Sequence, residues 1–132
     1  MRLIRAYNTA GKSRFLCRRK CNISPIEYLE DGYVWATDWD LELYLPHLPQ
    51  DIAAVVIPMN AFRPGSGKNG HRCRVEEVIE NRFSYTVILS PVLSGDAVSL
   101  KWTISKKEWQ RICSDVISVN IPAYGIFSLK CK

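Results

Sequence analysis

The chain has no cysteine pair in C-x-x-C spacing, no histidines in ligand spacing, and no apolar run long enough to cross a bilayer. Its five cysteines, Cys17, Cys21, Cys73, Cys113 and Cys131, are odd in number and scattered. A disulfide-stapled secreted scaffold has an even count and denser spacing, so reduced thiols in a cytosol are expected. Cys17 and Cys21 would need two more ligands to hold zinc, and His47 and His71 offer no paired spacing, so no metal site is expected. The basic N-terminus lacks a following apolar segment of the export kind. A nucleophile elbow is absent and neither histidine has a local partner, which argues against an enzyme. Acidic side chains are missing from residues 1–24, which carry seven basic ones. Residues 25–60 reverse this, with seven acidic side chains and no Lys or Arg.

What is present describes an ordinary globular domain. The 132 residues are 47% hydrophobic and 23% charged, enough for one domain with a real core. The net charge of +5 comes from opposed blocks rather than one stripe. In the first block only Tyr7 and Phe15 interrupt the basic residues, so a solvated basic edge is expected rather than a nucleic-acid footprint.

The last third is the most regular. Over Arg72–Ser90, read as one strand, Phe83, Tyr85, Val87 and Leu89 fall on one face, with Ser84, Thr86 and Ser90 on the other. A Ser94-Gly95-Asp96 turn leads to a second strand in which Val98, Leu100, Trp102 and Ile104 alternate with polar residues. Ser105 precedes Glu108 by three residues, the spacing of a capping box, and Trp109, Ile112 and Cys113 share one face of the helix it starts. Val119 and Ile121 resume alternation, and Pro122 stops it.

Upstream, Asp38-Trp39-Asp40 is expected to turn a hairpin that places Tyr33, Trp35, Leu41, Leu43 and Leu45 on one side. Pro46–Pro49 reads as a turn and Ala53–Pro58 as a buried strand. Seven or eight short strands with one or two brief helices make a small barrel or sandwich.

Three motif fragments carry little chemistry. Gly11-Lys12-Ser13 lacks the earlier glycine of a phosphate loop, since Ala6 stands there. Gly65, Gly67 and Gly70 match a dinucleotide fingerprint in spacing, yet a strand-like run follows where a helix is required. Ser66, Lys68 and Asn69 in that loop could form an anion nest, although an inert loop is the plainer reading. Asp38, Asp40 and Glu42 read as a solvated turn. Asn22-Ile23-Ser24 matches a glycosylation acceptor without a secretory context.

Several segments in order resemble the C-terminal accessory region, a TOBE or Mop-like OB-type barrel, of ABC-importer ATPase subunits for molybdate, tungstate and sulfate. CNISPIEYLEDGYV is similar to the segment joining ATPase core and barrel, ATDWDLELYLP to a D-W-G-L hairpin, and AAVVIPMNAFRP to a strand reading V-G-I-R before an aromatic and a proline. Arg72–Leu129 resembles the final barrel. Pro58 stands where the family has arginine, and Pro122 where a lysine would serve an anion.

The resemblance implies an all-β, OB-like barrel with one short capped helix over residues 25–132, joined through a basic segment, residues 1–24, to an ATPase core. It implies a regulatory domain at the cytoplasmic face, peripheral to the membrane. Its partners would be the ATPase core and a twin subunit, with the permease reached indirectly. No cofactor is implied and no ATPase motif is complete. Oxyanion-site counterparts would be Lys68, Asn69 and Ser105. The alternative is a stand-alone OB-fold that binds single-stranded nucleic acid.

Overall fold

Short alternating runs separated by tight turns dictate the architecture. A computed structural model describes residues 2–92 and 97–131, so the Ser94-Gly95-Asp96 turn lies outside the described residues. Among the described residues there are twelve strands and one α-helix. The strands are β1 (Leu3–Tyr7), β2 (Ser13–Cys17), β3 (Cys21–Tyr28), β4 (Tyr33–Ala36), β5 (Leu41–Tyr44), β6 (Ile52–Pro58), β7 (Arg63–Pro64), β8 (Gly70–Glu80), β9 (Ser84–Pro91), β10 (Leu100–Ser105), β11 (Val116–Asn120) and β12 (Phe127–Lys130). The helix α1 covers Lys106–Ile112. Single 3-10 turns lie at Arg18–Lys20 and Ala123–Gly125. None of the described helices is long and apolar enough to cross a membrane.

Two sheets form, seven-stranded in the order β2-β1-β12-β6-β3-β4-β5 and five-stranded in the order β10-β9-β8-β11-β7. Every pairing between strands is antiparallel. Together they make the small OB-like β-barrel that the resemblance implied. The strand count exceeds the expected seven or eight because the N-terminal segment contributes two strands and the Arg72–Ser90 run folds back on itself. The described part of the N-terminal segment, residues 2–24, packs as part of the sheet: β1 pairs with β12, and β3 runs unbroken past residue 24 to pair with β4 and β6.

The main core lies between the sheets. Val55 and Ile57 on β6, Leu43 on β5, Val87 and Leu89 on β9 and Leu100 on β10 are fully buried there. Trp102 sits at its centre, its ring centroid 6.4 Å from that of Phe62 and 6.2 Å from that of Trp109, the latter edge-on. Such a pair adds about 0.5–1.5 kcal/mol beyond the area it buries. Val56 points the other way, into a smaller cluster with Ala6 and Phe127 that holds the β1–β2 ribbon. Because β6 is covered on both faces, its run reads as continuously apolar rather than alternating.

Two expected faces are corrected. The chain turns at Asn81-Arg82-Phe83, where the Asn81 N–H donates to Ser84 O at 2.8 Å and its amide donates to Thr86 Oγ1 at 2.8 Å. Phe83 is therefore 79% exposed at a hairpin tip, while Val87 and Leu89 stay buried. In the β4–β5 hairpin, Val34 pairs with Leu43 and Ala36 with Leu41. Leu41, Leu43 and Leu45 thus share the core with Val34 and Ala36, and Tyr33 and Trp35 face outward. The partner numbers sum to an odd value, so even residues of β4 align with odd residues of β5, and a same-parity reading puts the wrong pair inside.

The sheets are joined by a buried side chain. Asn22 on β3 donates to Ile57 O at 3.2 Å and to Lys101 O at 2.9 Å, and its carbonyl accepts from Lys101 N at 2.8 Å. Its amide thereby replaces a missing strand beside β10, the edge of the five-stranded sheet. The side chain matched to a glycosylation acceptor is inside the protein.

Candidate functional site

The Gly-rich loop between β7 and β8 builds the second join and, beside it, a cleft. Gly65 adopts φ +112°, a left-handed region open to glycine. Gly67 has ordinary φ but packs so closely that a Cβ there would stand 2.6 Å from Asn120 Oδ1. The loop is therefore compact, which differs from the flexible turn its composition suggests.

This packing fixes Asn69, which is 4% exposed. Its carbonyl accepts from Tyr44 N at 2.6 Å and its amide donates to Tyr44 O at 3.3 Å. Asn69 so caps the free edge of β5 much as Asn22 caps β10. The preceding residue, Lys68, then projects outward, with Nζ 4.5 Å from the Tyr44 ring centroid and 5.7 Å from that of Tyr33. The electron-rich ring faces hold the ammonium in place without neutralising it.

Lys68 and Asn69 line a cleft of about 540 Å³. Its other walls come from the β1–β2 turn, the Pro46–Pro49 turn, the Asn120–Ala123 segment and β12. Lys130 on β12 supplies a second ammonium, 4.3 Å from the Tyr7 ring centroid. No Asp or Glu is among the described residues lining the cleft. Asn120 adds a buried Oδ1 with no hydrogen-bond partner. Unpaired buried polar groups are rare, and this one lies where the Asn120 side chain packs against Gly67. Two cations over tyrosine faces, with no carboxylate among the described lining residues, give the cleft a positive potential.

The third candidate, Ser105, is elsewhere. Its Oγ accepts from Glu108 N at 3.2 Å at the start of α1, and it is not among the cleft-lining residues. The capping-box spacing is thus realised as a cap. Pro122 does line the cleft, and Lys130, eight positions on, brings a lysine to the same wall. Sequence reading missed Lys130 because its signal is only strand parity near the end of the chain. Gly11-Lys12-Ser13 belongs to the β1–β2 hairpin turn, where Asn8 Oδ1 accepts from Ala10 N and Lys12 N at 3.0 Å each. That turn contributes wall rather than a phosphate cradle.

His71 lies next to the Asn69 clamp. Burial lowers its pKa below the ordinary 6.5, while a hydrogen bond to the Glu42 backbone and the Glu42 charge act against the shift. Its Nε2 is buried without a partner. Cys73, two residues on and fully buried, has its thiol pushed up to about 11 by burial alone. The thiol of Cys21 is raised by burial and by nearby Cys17.

No family model matches the chain, and no curated protein matches it either. Among solved structures, the chain is similar to the cytoplasmic molybdate-binding protein ModG, crystallised with molybdate bound. The identity is 11%, the match covers 86% of this chain and 98% of that one, and the TM-score is 0.59. At that identity the likeness establishes the fold: a small, mainly β, OB-like barrel of the kind ModG has.

Proposed function

We propose that this chain binds a small oxyanion of the molybdate, tungstate and sulfate class in the lysine cleft, as the regulatory accessory domain of an ABC importer's ATP-binding subunit. The supporting observation is a carboxylate-free cleft carrying Lys68 and Lys130, in a fold shared with a molybdate-binding protein. Lys68 and Lys130 are the groups that meet the anion's charge. Asn69 positions Lys68 through the Tyr44 backbone, and Ser105, engaged as a cap, is left out of the site. A cleft of about 540 Å³ also has room for the anion's hydration shell, since each water occupies about 30 Å³. In this reading the chain regulates and pairs subunits at the cytoplasmic face, without hydrolysing anything itself.

The binding arm is tested by thermal melting with sodium molybdate, tungstate and sulfate against a chloride control. Ligand at a hundredfold excess over Kd stabilises by about 2.7 kcal/mol, which raises Tm by several degrees. Lys68→Ala and Lys130→Ala should each remove about half of the rise or more, and a flat response to all three anions overturns the reading. The transporter arm is tested in the surrounding coding sequence. An ATPase core in frame or a permease gene alongside is expected, and the absence of both removes the importer.

A further inference from the structure

A second concavity, of about 700 Å³, lies between the β1–β2 ribbon and the five-stranded sheet. Arg14 from β2, Lys20 from the 3-10 turn after it and Arg63 from β7 all reach it. No Asp or Glu is among its described lining residues, and none of the three cations forms an ion pair with a described residue. The Arg63 guanidinium donates to Asn60 O and Phe62 O at 2.9 Å each, which fixes it at the groove wall. Hydroxyl and amide groups of Asn81, Thr86 and Thr103 lie along the floor.

Aromatic rings are gathered there as well. Phe15 is 60% exposed and Tyr124 is 71% exposed at the groove. The Arg5 guanidinium stands 5.2 Å from the Phe15 centroid, and that of Arg14 stands 5.7 Å from the Phe127 centroid. Arg2, Lys12, Arg18 and Arg19, in the same N-terminal segment, are also exposed. In sequence the basic block has only Tyr7 and Phe15 between its charges. The fold adds Arg63, Tyr124 and Phe127 from distant segments, and a solvated basic edge needs neither a groove nor exposed rings.

We propose that this groove binds single-stranded nucleic acid, with Arg14, Lys20 and Arg63 meeting phosphates and Phe15 and Tyr124 stacking on bases. Phosphates supply the repeated charge that the cations lack, and unpaired bases supply flat apolar faces for the rings. An acidic peptide would satisfy the cations and leave the rings idle. A duplex keeps its bases paired, out of reach of those rings. Recognition of this kind tolerates any base sequence. The site shares no lysine with the oxyanion cleft, so either can fail alone.

The test is fluorescence anisotropy with a fluorescein-labelled oligothymidylate of about 12 nucleotides across about 50–200 mM NaCl. Three phosphate contacts give a slope of log affinity against log salt of about −2 or steeper. Arg14→Ala with Lys20→Ala should weaken binding at least about tenfold and flatten the slope by about 1.4. Phe15→Ala with Tyr124→Ala should weaken binding at an unchanged slope, a split that general charge attraction does not produce. These four residues are exposed, and a circular-dichroism melt confirms that each variant is folded. Lys68→Ala with Lys130→Ala should leave strand affinity unchanged. The proposal is overturned by no binding at about 50 mM salt or by an unchanged slope in the Arg14/Lys20 variant. It also falls if the ring variant binds like the parent chain, or if a matched duplex or polyglutamate competes as well as the strand.

Discussion

Two of the links between the sheets are asparagine side chains: at the first join Asn22 reaches from β3 to the backbone of Lys101 on the edge strand β10, beside the backbone bond from Thr103 N to Met59 O. At the second, Asn69 reaches from the Gly-rich loop to the backbone of Tyr44 on the edge strand β5. Each amide stands in for a peptide group and closes an edge that would otherwise expose unpaired N–H and C=O groups. The surroundings differ. Asn22 makes three hydrogen bonds, to Ile57 and to both backbone groups of Lys101, and serves only to close the barrel. Asn69 makes two, and it pins the loop beside Lys68, whose ammonium stands over the Tyr44 ring at a cleft without a described carboxylate. One residue type and one geometry give a structural clamp at one join and a positioning clamp at the other.

The largest effect should come from breaking the first clamp. Asn22→Ala leaves Lys101 N, Lys101 O and Ile57 O without their partner and should cost about 2–4 kcal/mol, read as a lower urea midpoint with oxyanion affinity unchanged in the folded fraction. Asn69→Ala should cost about 1–3 kcal/mol and also weaken anion binding, because Lys68 loses its fixed platform. If both variants lose stability and neither loses affinity, the two joins are equivalent and the contrast fails.

Lys68→Ala isolates the functional half of that contrast. It should lower oxyanion affinity about tenfold or more by titration calorimetry, about 1.4 kcal/mol or more, while shifting stability by less than about 0.5 kcal/mol.

His71 gives the second join a pH dependence that the first lacks. Its folded-state pKa is depressed by burial, so the unfolded chain binds the proton more readily. Stability from this group is full above pH 6.5 and falls as pH drops below that value. Urea midpoints at pH 7.5 and pH 5 should differ more in the parent chain than in His71→Gln. An equal difference would show that His71 carries none of the effect.

The smallest effect is one of thiol chemistry. Cys113 and Cys131 are exposed, whereas Cys73 on β8 is buried with its pKa raised to about 11. With a disulfide reagent near pH 8, the exposed pair should react first and Cys73 last, since the thiolate is the reactive form. Faster labelling of Cys73 in Asn69→Ala than in Asn22→Ala would report local opening at the second join.

Local patterning carried much of this structure. The alternation over Leu100–Ser105, the Ser105–Glu108 cap, the turn at Asp38–Asp40 and the apolar run of β6 all follow from neighbours in sequence, and the described residues show each of them. Phe83 and the Tyr33–Trp35 face were misread because a turn's length, not the strand's own residues, sets parity and where the chain reverses. Lys68 was legible as a donor in a flexible loop, but its tyrosine platform was not, since Tyr33 and Tyr44 lie on strands far from it in sequence. Lys130 gave only the weak signal of strand parity near the end of the chain.

The sequence by itself determined a mainly β chain of short strands, a capped helix and a division into basic and acidic blocks, because strand periodicity, capping and composition are short-range properties. The OB-like barrel was expected only through the family resemblance. Only the tertiary structure decided that Asn22 and Asn69 are clamps, that Ser105 stays with its helix, and that Lys68 meets Lys130 in one cleft while Arg14 and Lys20 meet Arg63 in another groove. Those assignments depend on which edges need covering and which distant side chains converge, and long-range packing alone sets both.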